Sequence, residues 1–284
     1  MKNFALIGLA GFVAKKHVKC IKDIKGNLVS TLDLHDNVGF IDSFFPKCEF
    51  FTSENLFFRF IKKKNIDFVV ICSPSHLHYK HIKLSLKAGC NVIVEKPPVL
   101  SLNQYREIIK IEAITKKKCH CIFQLRLDRK LKNLKTIVDN SDSKYEVEII
   151  YYSYRGNWYF KSWKNKKMLS GGLLINIAIH FFDILMWIFG EVKKIQVTNR
   201  NKSRVKGFIE LEKANVKWIV SVENIKKQNN KIKTRYYRIM KVNNKIINFD
   251  KFNDLHFSNY LEILKGNFHI SEFEDVIKFL PKLK

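Results

Sequence analysis

Short apolar runs alternate with amphipathic stretches over the first 124 residues, and the two periods give the element order. Phe4–Gly8 and Leu28–Asp33 read as strands, separated by a glycine turn and a helical pattern over Val13–Ile24. Asp67–Ser73 (DFVVICS) and Asn91–Glu95 (NVIVE) are continuous apolar runs bounded by polar residues. Runs of that kind suit strands buried on both faces of a parallel sheet. Between them His76–Ala88 has helical spacing and Gly89 stands at the stop position. Ser101–Lys118 reads as a helix opened by a serine cap, and Cys119–Gln124 as a further strand. This repetition predicts a doubly wound parallel sheet of the Rossmann type over residues 1–124.

Beyond about residue 125 the pattern changes. Tyr145–Arg155 alternates as a long strand, and Gly172–Phe189 reads as one helix. Val192–Asn199, Arg204–Glu212, Val216–Glu223 and Thr234–Val242 follow as strands with short polar connections. A second α/β domain with a mostly antiparallel open sheet is therefore expected over residues 125–284.

Composition narrows the class. With 46% hydrophobic and 27% charged residues over 284 positions, a disordered chain, a fibre and a disulfide-stapled miniprotein are excluded. The six cysteines include no C-x-x-C pair, so they read as reduced thiols of a cytoplasmic protein. The apolar stretch Leu173–Phe189 is interrupted by Asn176, His180 and Asp183 and is short for a bilayer, and the N-terminus lacks a signal-peptide pattern. A soluble protein without a membrane partner is expected. The net charge of +26 favours anionic partners, but the lysines are scattered and no DNA-reading motif is present. No nucleic-acid partner is expected, and a basic nucleic-acid-binding protein is the remote alternative.

Three segments carry candidate chemistry. Gly8-Leu-Ala-Gly11-Phe12-Val13-Ala14 follows the first strand and opens a helix. A turn free of side chains lets backbone N–H groups approach a pyrophosphate at a helix N-terminus. Asp33 ends the second strand, where a carboxylate accepts from ribose hydroxyls and repels a 2′-phosphate, favouring NAD over NADP. An ordinary tight turn is the competing reading. Glu95-Lys96-Pro97-Pro98 ends a strand at the carboxyl edge of the sheet. Lys96 there would stabilise an alkoxide or carry a proton, and Glu95 would contact the nicotinamide ribose; a surface ion pair is the alternative. In Gly171-Gly172-Leu-Leu-Ile-Asn176-Ile-Ala-Ile-His180-Phe-Phe-Asp183, the i, i+4, i+7 spacing puts three polar residues on one helical face. His180 suits a general base and Asn176 an orienting group, against a core histidine as the plain alternative. No metal is expected, because asparagine is a poor transition-metal ligand and no second His or Cys has suitable spacing.

Taken together, the glycine turn, SPSHLHYKH after the fourth strand, EKP and GG…N…H..D resemble the Gfo/Idh/MocA family of nicotinamide-dependent oxidoreductases over essentially the whole chain. The resemblance implies an N-terminal Rossmann domain, a C-terminal α/β domain whose open sheet mediates a homodimer or homotetramer, and Lys96 and His180 as catalytic and substrate-contacting positions. It also implies that Ser73, Pro74, Leu77, His78 and Gln124 line the cofactor. MKNFALIGLAGFVAKKH, DNVGFIDSFFPKCEFFT, QLRL (Gln124–Leu127), YRGNWYFKSWK (Tyr154–Lys164) and NDLHFSNYLEIL (Asn253–Leu264) resemble one subgroup of that family. Members of that subgroup use NAD to oxidise the C3 hydroxyl of a UDP-N-acetylglucosaminuronic acid for bacterial surface polysaccharide such as O-antigen. Asn176, where much of the wider family has Asp, fits this subgroup, whereas Ala178 stands where glycine is usual. Such a substrate carries a diphosphate and a carboxylate. Arg126, Arg155 and Lys161 are placed to meet those charges, with Asn157 as a further substrate contact; Tyr154, Trp158, Tyr159 and Trp163 would stack on uracil or sugar, against simple core packing as the plain alternative. A dehydrogenase of another sugar or inositol is the alternative within the fold.

Overall fold

The computed structural model describes residues 1–227, 234–243, 245–249 and 255–283, so Asn253 and Asp254 of the quoted NDLHFSNYLEIL segment lie outside the described residues. The chain divides into two compact units. The first comprises Met1–Phe123 with His256–Ile277, and the second Gln124–Leu255 with Lys278–Lys284.

The first unit is built on β1 (Asn3–Ile7), β2 (Asn27–Leu32), β3 (Glu49–Phe51), β4 (Phe68–Ile71), β5 (Asn91–Val94) and β6 (Cys119–Cys121). They form one six-stranded sheet in the order β3-β2-β1-β4-β5-β6, parallel throughout. Every residue of β4 and β6 is buried, as the uninterrupted apolar runs require when helices cover both faces. Helices α1 (Ala14–Asp23), α2 (Glu54–Lys63), α3 (Ser75–Lys87) and α4 (Leu102–Thr115) connect successive strands. The side chains of Ser53 and Ser101 cap α2 and α4 by accepting from Leu56 N–H and Gln104 N–H, whereas α1 begins with no side-chain cap.

The expectation that residues 125–284 form one domain needs correction. His256–Ile277 returns to the first unit, bringing α10 (His256–Leu264) against α1. Its docking is polar as well as apolar. Cys121 N–H donates to the Phe268 carbonyl at 2.9 Å, His269 Nε2 lies 2.9 Å from the buried Glu112 carboxylate, and Phe273 stacks on Phe123 with ring centres 4.3 Å apart.

The second unit contains β7 (Tyr145–Ser153), β8 (Val192–Arg200), β9 (Arg204–Leu211), β10 (Ala214–Ser221), β11 (Tyr236–Val242) and β12 (Lys245–Asn248). Their order is β12-β11-β7-β10-β9-β8, with β7 parallel to β10 and the remaining neighbours antiparallel. Its helices are α5 (Arg129–Asp139), the short α6 (Asn157–Lys161), α7 (Lys167–Ser170) and α8 (Gly172–Asn176), and the long α9 (Ile179–Phe189), with α11 (Glu274–Phe279) starting in the first unit and ending in the second. Phe181 and Phe182 of α9 pack on the sheet through Tyr151 and Trp218, ring centres 5.8 and 5.6 Å apart.

The single helix expected over Gly172–Phe189 is broken. After Asn176 the chain turns through Ile177 and Ala178, and its direction changes by 50° between Lys167–Asn176 and Ile179–Phe189. Asn176, His180 and Asp183 therefore do not share one helical face. Among the described residues no single helix is long and apolar enough to cross a membrane.

Candidate active site

In the first unit, the segments picked out by sequence lie at the carboxyl ends of the adjacent strands β2, β1, β4 and β5, the edge at which open α/β sheets bind ligands. Gly8 takes φ +90°, and a Cβ there would stand 2.5 Å from Ser73 N and 2.7 Å from Cys72 C. Only glycine allows the β1–α1 turn to lie this close to the backbone that leaves β4. A Cβ on Gly11 would meet the Gly8 and Cys72 carbonyls at 2.8 and 2.9 Å. The turn thus delivers the uncapped start of α1, at Val13 and Ala14, beside an exposed Phe12. First-turn N–H groups left without a side-chain acceptor are suited to an anion.

Asp33 fixes the turn from the next strand. Its Oδ2 accepts from Ala10 N–H at 2.8 Å and its Oδ1 from His35 N–H at 3.0 Å. Each carboxylate oxygen has a second lone pair, so ribose hydroxyls can still donate to it. This arrangement fits a dinucleotide: a helix start with no side-chain cap for the pyrophosphate and a half-exposed acid for the adenosine ribose.

The turn after β4 is held from within. Ser73 Oγ lies 2.8 Å from His81 Nδ1, and His81 Nε2 lies 3.2 Å from Glu54 Oε2. Burial lowers the His81 pKa to about 4, outweighing the pull of Glu54. Pro74 in this turn and Leu77 in the first turn of α3 are half-buried. His78 was expected to line the cofactor, but it is a buried clamp: its two ring nitrogens lie 2.7 Å from the Pro97 and Ser73 carbonyls. Burial lowers its pKa, while both carbonyls and Glu95 act in the opposite direction.

Glu95 also departs from expectation. Rather than reaching a nicotinamide ribose, its side chain turns inward and is about one-tenth exposed. Oε1 lies 3.0 Å from His17 Nε2 and 3.4 Å from His256 Nε2, while Oε2 accepts from Lys96 N–H at 3.3 Å. Burial alone would raise the carboxyl pKa, but the two histidines hold it well below the usual carboxylate range. Lys96 itself is half-buried, and its peptide bond to Pro97 is cis.

In the second unit, Asn176 and His180 flank the α8–α9 break and are half-buried, with the neighbouring Ile175, Ile177, Ala178 and Ile179 buried. Asp183 lies one turn further along α9 and is engaged elsewhere. Arg126 donates to it from Nε at 3.2 and 3.1 Å and from a terminal nitrogen at 2.5 Å, with Asp183 only 1% exposed. Arg126 was expected to grip substrate, yet its fork is directed at this internal carboxylate. Gln124 opens the same short turn, and its Oε1 is buried without a hydrogen-bond partner among the described residues.

The segment after β7 carries the remaining candidates. Arg155 is half-buried and donates to the Tyr154 carbonyl at 3.0 Å, while Asn157 and Lys161 are exposed. Tyr159, expected to stack on substrate, is 0% exposed, and burial raises its pKa to about 12 against the charge of Arg155. A side chain so enclosed packs the segment instead of presenting a ring. Sequence reasoning missed Lys164. Its ammonium lies 5.2 and 5.8 Å from the ring centres of Trp158 and Trp163, and burial followed by the charge of Arg155 lowers its pKa. The W-K pair in KSWK was the available signal.

Comparison with known proteins matches this arrangement. Residues 2–123 match the model of the oxidoreductase family's NAD-binding Rossmann fold, Gfo/Idh/MocA, and residues 143–266 match its C-terminal alpha/beta domain. The WlbA (WbpB) dehydrogenase of Thermus thermophilus, solved with NAD and alpha-ketoglutarate, is 37% identical at a TM-score of 0.95, covering 100% of this chain and 96% of that one. The same dehydrogenase solved with NAD and UDP-GlcNAcA gives the same identity and TM-score. The D-glucoside 3-dehydrogenase of Escherichia coli K12 is 32% identical over 127 residues, 44% of this chain and 36% of that protein. The inositol 2-dehydrogenase of Rhizobium meliloti 1021 is 27% identical over 195 residues, 66% of this chain and 55% of that protein. The chain thus spans between about a third and about half the length of these curated relatives. With both domains matched and a solved relative aligned over its full length, this chain belongs to the Gfo/Idh/MocA oxidoreductase family.

Proposed function

We propose that this protein oxidises the C3 hydroxyl of UDP-N-acetylglucosaminuronic acid to the 3-keto sugar nucleotide, using NAD. The observation that carries the reading is the full-length similarity, at 37% identity, to a dehydrogenase crystallised with NAD and UDP-GlcNAcA. Bound NAD supplies the hydride acceptor. The chain supplies the rest. The Gly8–Ala14 turn and the start of α1 hold the pyrophosphate, and Asp33 accepts from the adenosine ribose. As the C3–H and O–H bonds of the substrate break and the carbonyl forms, the proton passes to Lys96 Nζ or to the His180 imidazole, while Asn176 orients the sugar. Arg155, Lys161 and Lys164 supply cationic charge for the diphosphate and carboxylate.

The relative's complex with NAD and alpha-ketoglutarate supports a second half-reaction. In it, the Gly8–Ala14 turn and Asp33 would hold the dinucleotide as its hydride goes back to the ketone carbon of a keto acid, with Lys96 or His180 returning the proton to the oxygen to give a hydroxy acid. On the same reading the protein acts in the cytoplasm as a homo-oligomer, supplies surface-polysaccharide synthesis such as that of O-antigen, and has no nucleic-acid or membrane partner.

The second reading, oxidation of a free sugar or inositol, draws on the curated relatives named for a glucoside and an inositol. Comparing kcat/KM for UDP-GlcNAcA with that for free glucosides and inositols decides between them. A marked preference for the sugar nucleotide is expected, and a preference for free polyols overturns the first reading.

A further inference from the structure

Behind the proposed catalytic lysine lies a buried polar chain that the family's named activity does not account for. Tyr260 Oη is 2.8 Å from His17 Nδ1, His17 Nε2 is 3.0 Å from Glu95 Oε1, and His256 Nε2 is 3.4 Å from the same oxygen. His17 and Tyr260 are fully buried, and His256 and Glu95 nearly so. Burial and the neighbouring Cys72, Cys20 and Glu95 push the Tyr260 pKa well up, so its hydroxyl remains a donor. The two short contacts of the His17 ring link the Tyr260 hydroxyl, the imidazole and the Glu95 carboxylate into one chain. His256 and Tyr260, four residues apart on α10, reach the cluster from the same helix face.

We propose that His17, Glu95, Tyr260 and His256 form a positioning network that sets the orientation and charge environment of Lys96. This rests on the reading above in which Lys96 takes part in the reaction. The network ends on the lysine's own backbone, because Glu95 Oε2 accepts from Lys96 N–H at 3.3 Å. Two residues further on, the Pro97 carbonyl is tied to His78 at 2.7 Å. The turn carrying Lys96 is therefore fixed on both sides, while its side chain stays half-exposed. Docking α10 on α1 does not itself call for such a cluster. Burying a carboxylate is costly, and apolar side chains of similar volume serve packing equally well or better. An ionised group held against the backbone of a reactive lysine has a different use: it fixes the turn that carries the amine and sets a fixed negative charge in its neighbourhood. The placement also explains why the segment beginning at His256 returns to the first unit.

One ligating atom each from His17, Glu95 and His256 lies within 4.8 Å of the others, and two histidines with a glutamate are also a zinc donor set. The 3.0 Å separation of His17 Nε2 and Glu95 Oε1 is that of a direct hydrogen bond, so the network is assigned without an ion.

The test uses the full chain and the variants Glu95→Gln, His17→Gln, His256→Gln, His256→Ala and Tyr260→Phe. Folding is checked by circular dichroism and NAD binding by stoichiometry. A misplacement of about 1 Å costs on the order of 10²-fold in rate. Glu95→Gln and His17→Gln are therefore expected to lower kcat by about that factor, with KM for sugar nucleotide and NAD within threefold. His256→Gln, which keeps a donor, should retain more activity than His256→Ala. Tyr260→Phe removes one hydroxyl only and serves if the other variants fail to fold. Competitive acetylation of Lys96 across pH, read by peptide mass, supplies a measure independent of turnover. Its midpoint should move to lower pH in Glu95→Gln, a change that a purely structural role does not produce. Unchanged kcat with unmoved Lys96 labelling, or one equivalent of tightly bound zinc per chain, overturns the proposal. If the wild type turns over no UDP-GlcNAcA while the labelling midpoint still moves, the functional reading fails and the positioning network stands.

Discussion

Replacing Asp33 by Asn separates two roles of one carboxylate: holding the β1–α1 turn and rejecting a 2′-phosphate. The turn role is visible in the 2.8 Å bond from Ala10 N–H to Oδ2 and the 3.0 Å bond from His35 N–H to Oδ1. An asparagine keeps one acceptor oxygen but loses the charge. The repulsion it removes is sizeable. Two unit charges about 4 Å apart cost about 1 kcal/mol in bulk water and about 4 kcal/mol near a protein surface, and a 2′-phosphate carries nearly two charges. A tenfold preference needs only about 1.4 kcal/mol. The net charge of +26 acts in the opposite direction, but over distances beyond a Debye length of about 8 Å it is screened, whereas Asp33 acts in contact. Wild type should therefore bind NAD at least tenfold more tightly than NADP, and Asp33→Asn should reduce that ratio at least tenfold. Asp33→Ser, which also gives up a charge-assisted bond of about 1.5–3 kcal/mol, should weaken both cofactors. Dissociation constants for NAD and NADP by titration calorimetry supply the check. A wild type indifferent to the 2′-phosphate, or a ratio unmoved in Asp33→Asn, refutes the role given to this residue.

Gly8→Ala should destabilise the first unit by about 2–5 kcal/mol, read by urea unfolding. Left-handed strain contributes about 1–2 kcal/mol and overpacking about 1–3 kcal/mol, because the new Cβ would meet backbone atoms of Cys72 and Ser73 at 2.5–2.8 Å. Asp183→Asn leaves Arg126 facing a neutral partner and should cost about 3–5 kcal/mol of stability, also by urea unfolding; an effect confined to substrate KM would restore the substrate role first expected of Arg126. Stability should fall by about 3 kcal/mol as pH drops from 6.5 to about 4, because unfolded His81 takes up its proton near 6.5 and the buried one only near 4. His81→Gln should flatten that slope by about one proton, and an unchanged slope contradicts the assignment. In pH–rate profiles, Lys96→Ala and His180→Ala should each remove or shift a limb of kcat; near-normal rates in both dispose of the mechanism.

What the sequence made legible follows from which forces act locally. The strands of the first sheet are buried on both faces, so β4 and β5 announce themselves as apolar runs. The glycine turn and EKP stand at the ends of such strands and are placed with them. Helix α10 was not legible, because its buried face carries His256, Asn259 and Tyr260, which read as polar. The break after Asn176 was hidden for the converse reason: Ile177 and Ala178 continue the apolar run, with neither proline nor glycine to mark the turn. Glu95 and Arg126 were assigned outward roles because their partners, His17 and Asp183, lie 78 and 57 positions away. Spacing arguments reach only neighbours on one element. The internal use of a charge is settled by tertiary contacts that a single sequence does not display.

Hydride transfer from C3 is the central claim, and isotopic labelling tests it directly. UDP-GlcNAcA carrying deuterium at C3 is incubated with the protein and NAD, and the reduced dinucleotide is weighed by mass spectrometry. The account predicts NADH one mass unit heavier than that formed from unlabelled substrate, and no gain when deuterium sits at C4. Unlabelled NADH from the C3-deuterated substrate, or no NADH at all while a free polyol is oxidised, would contradict it.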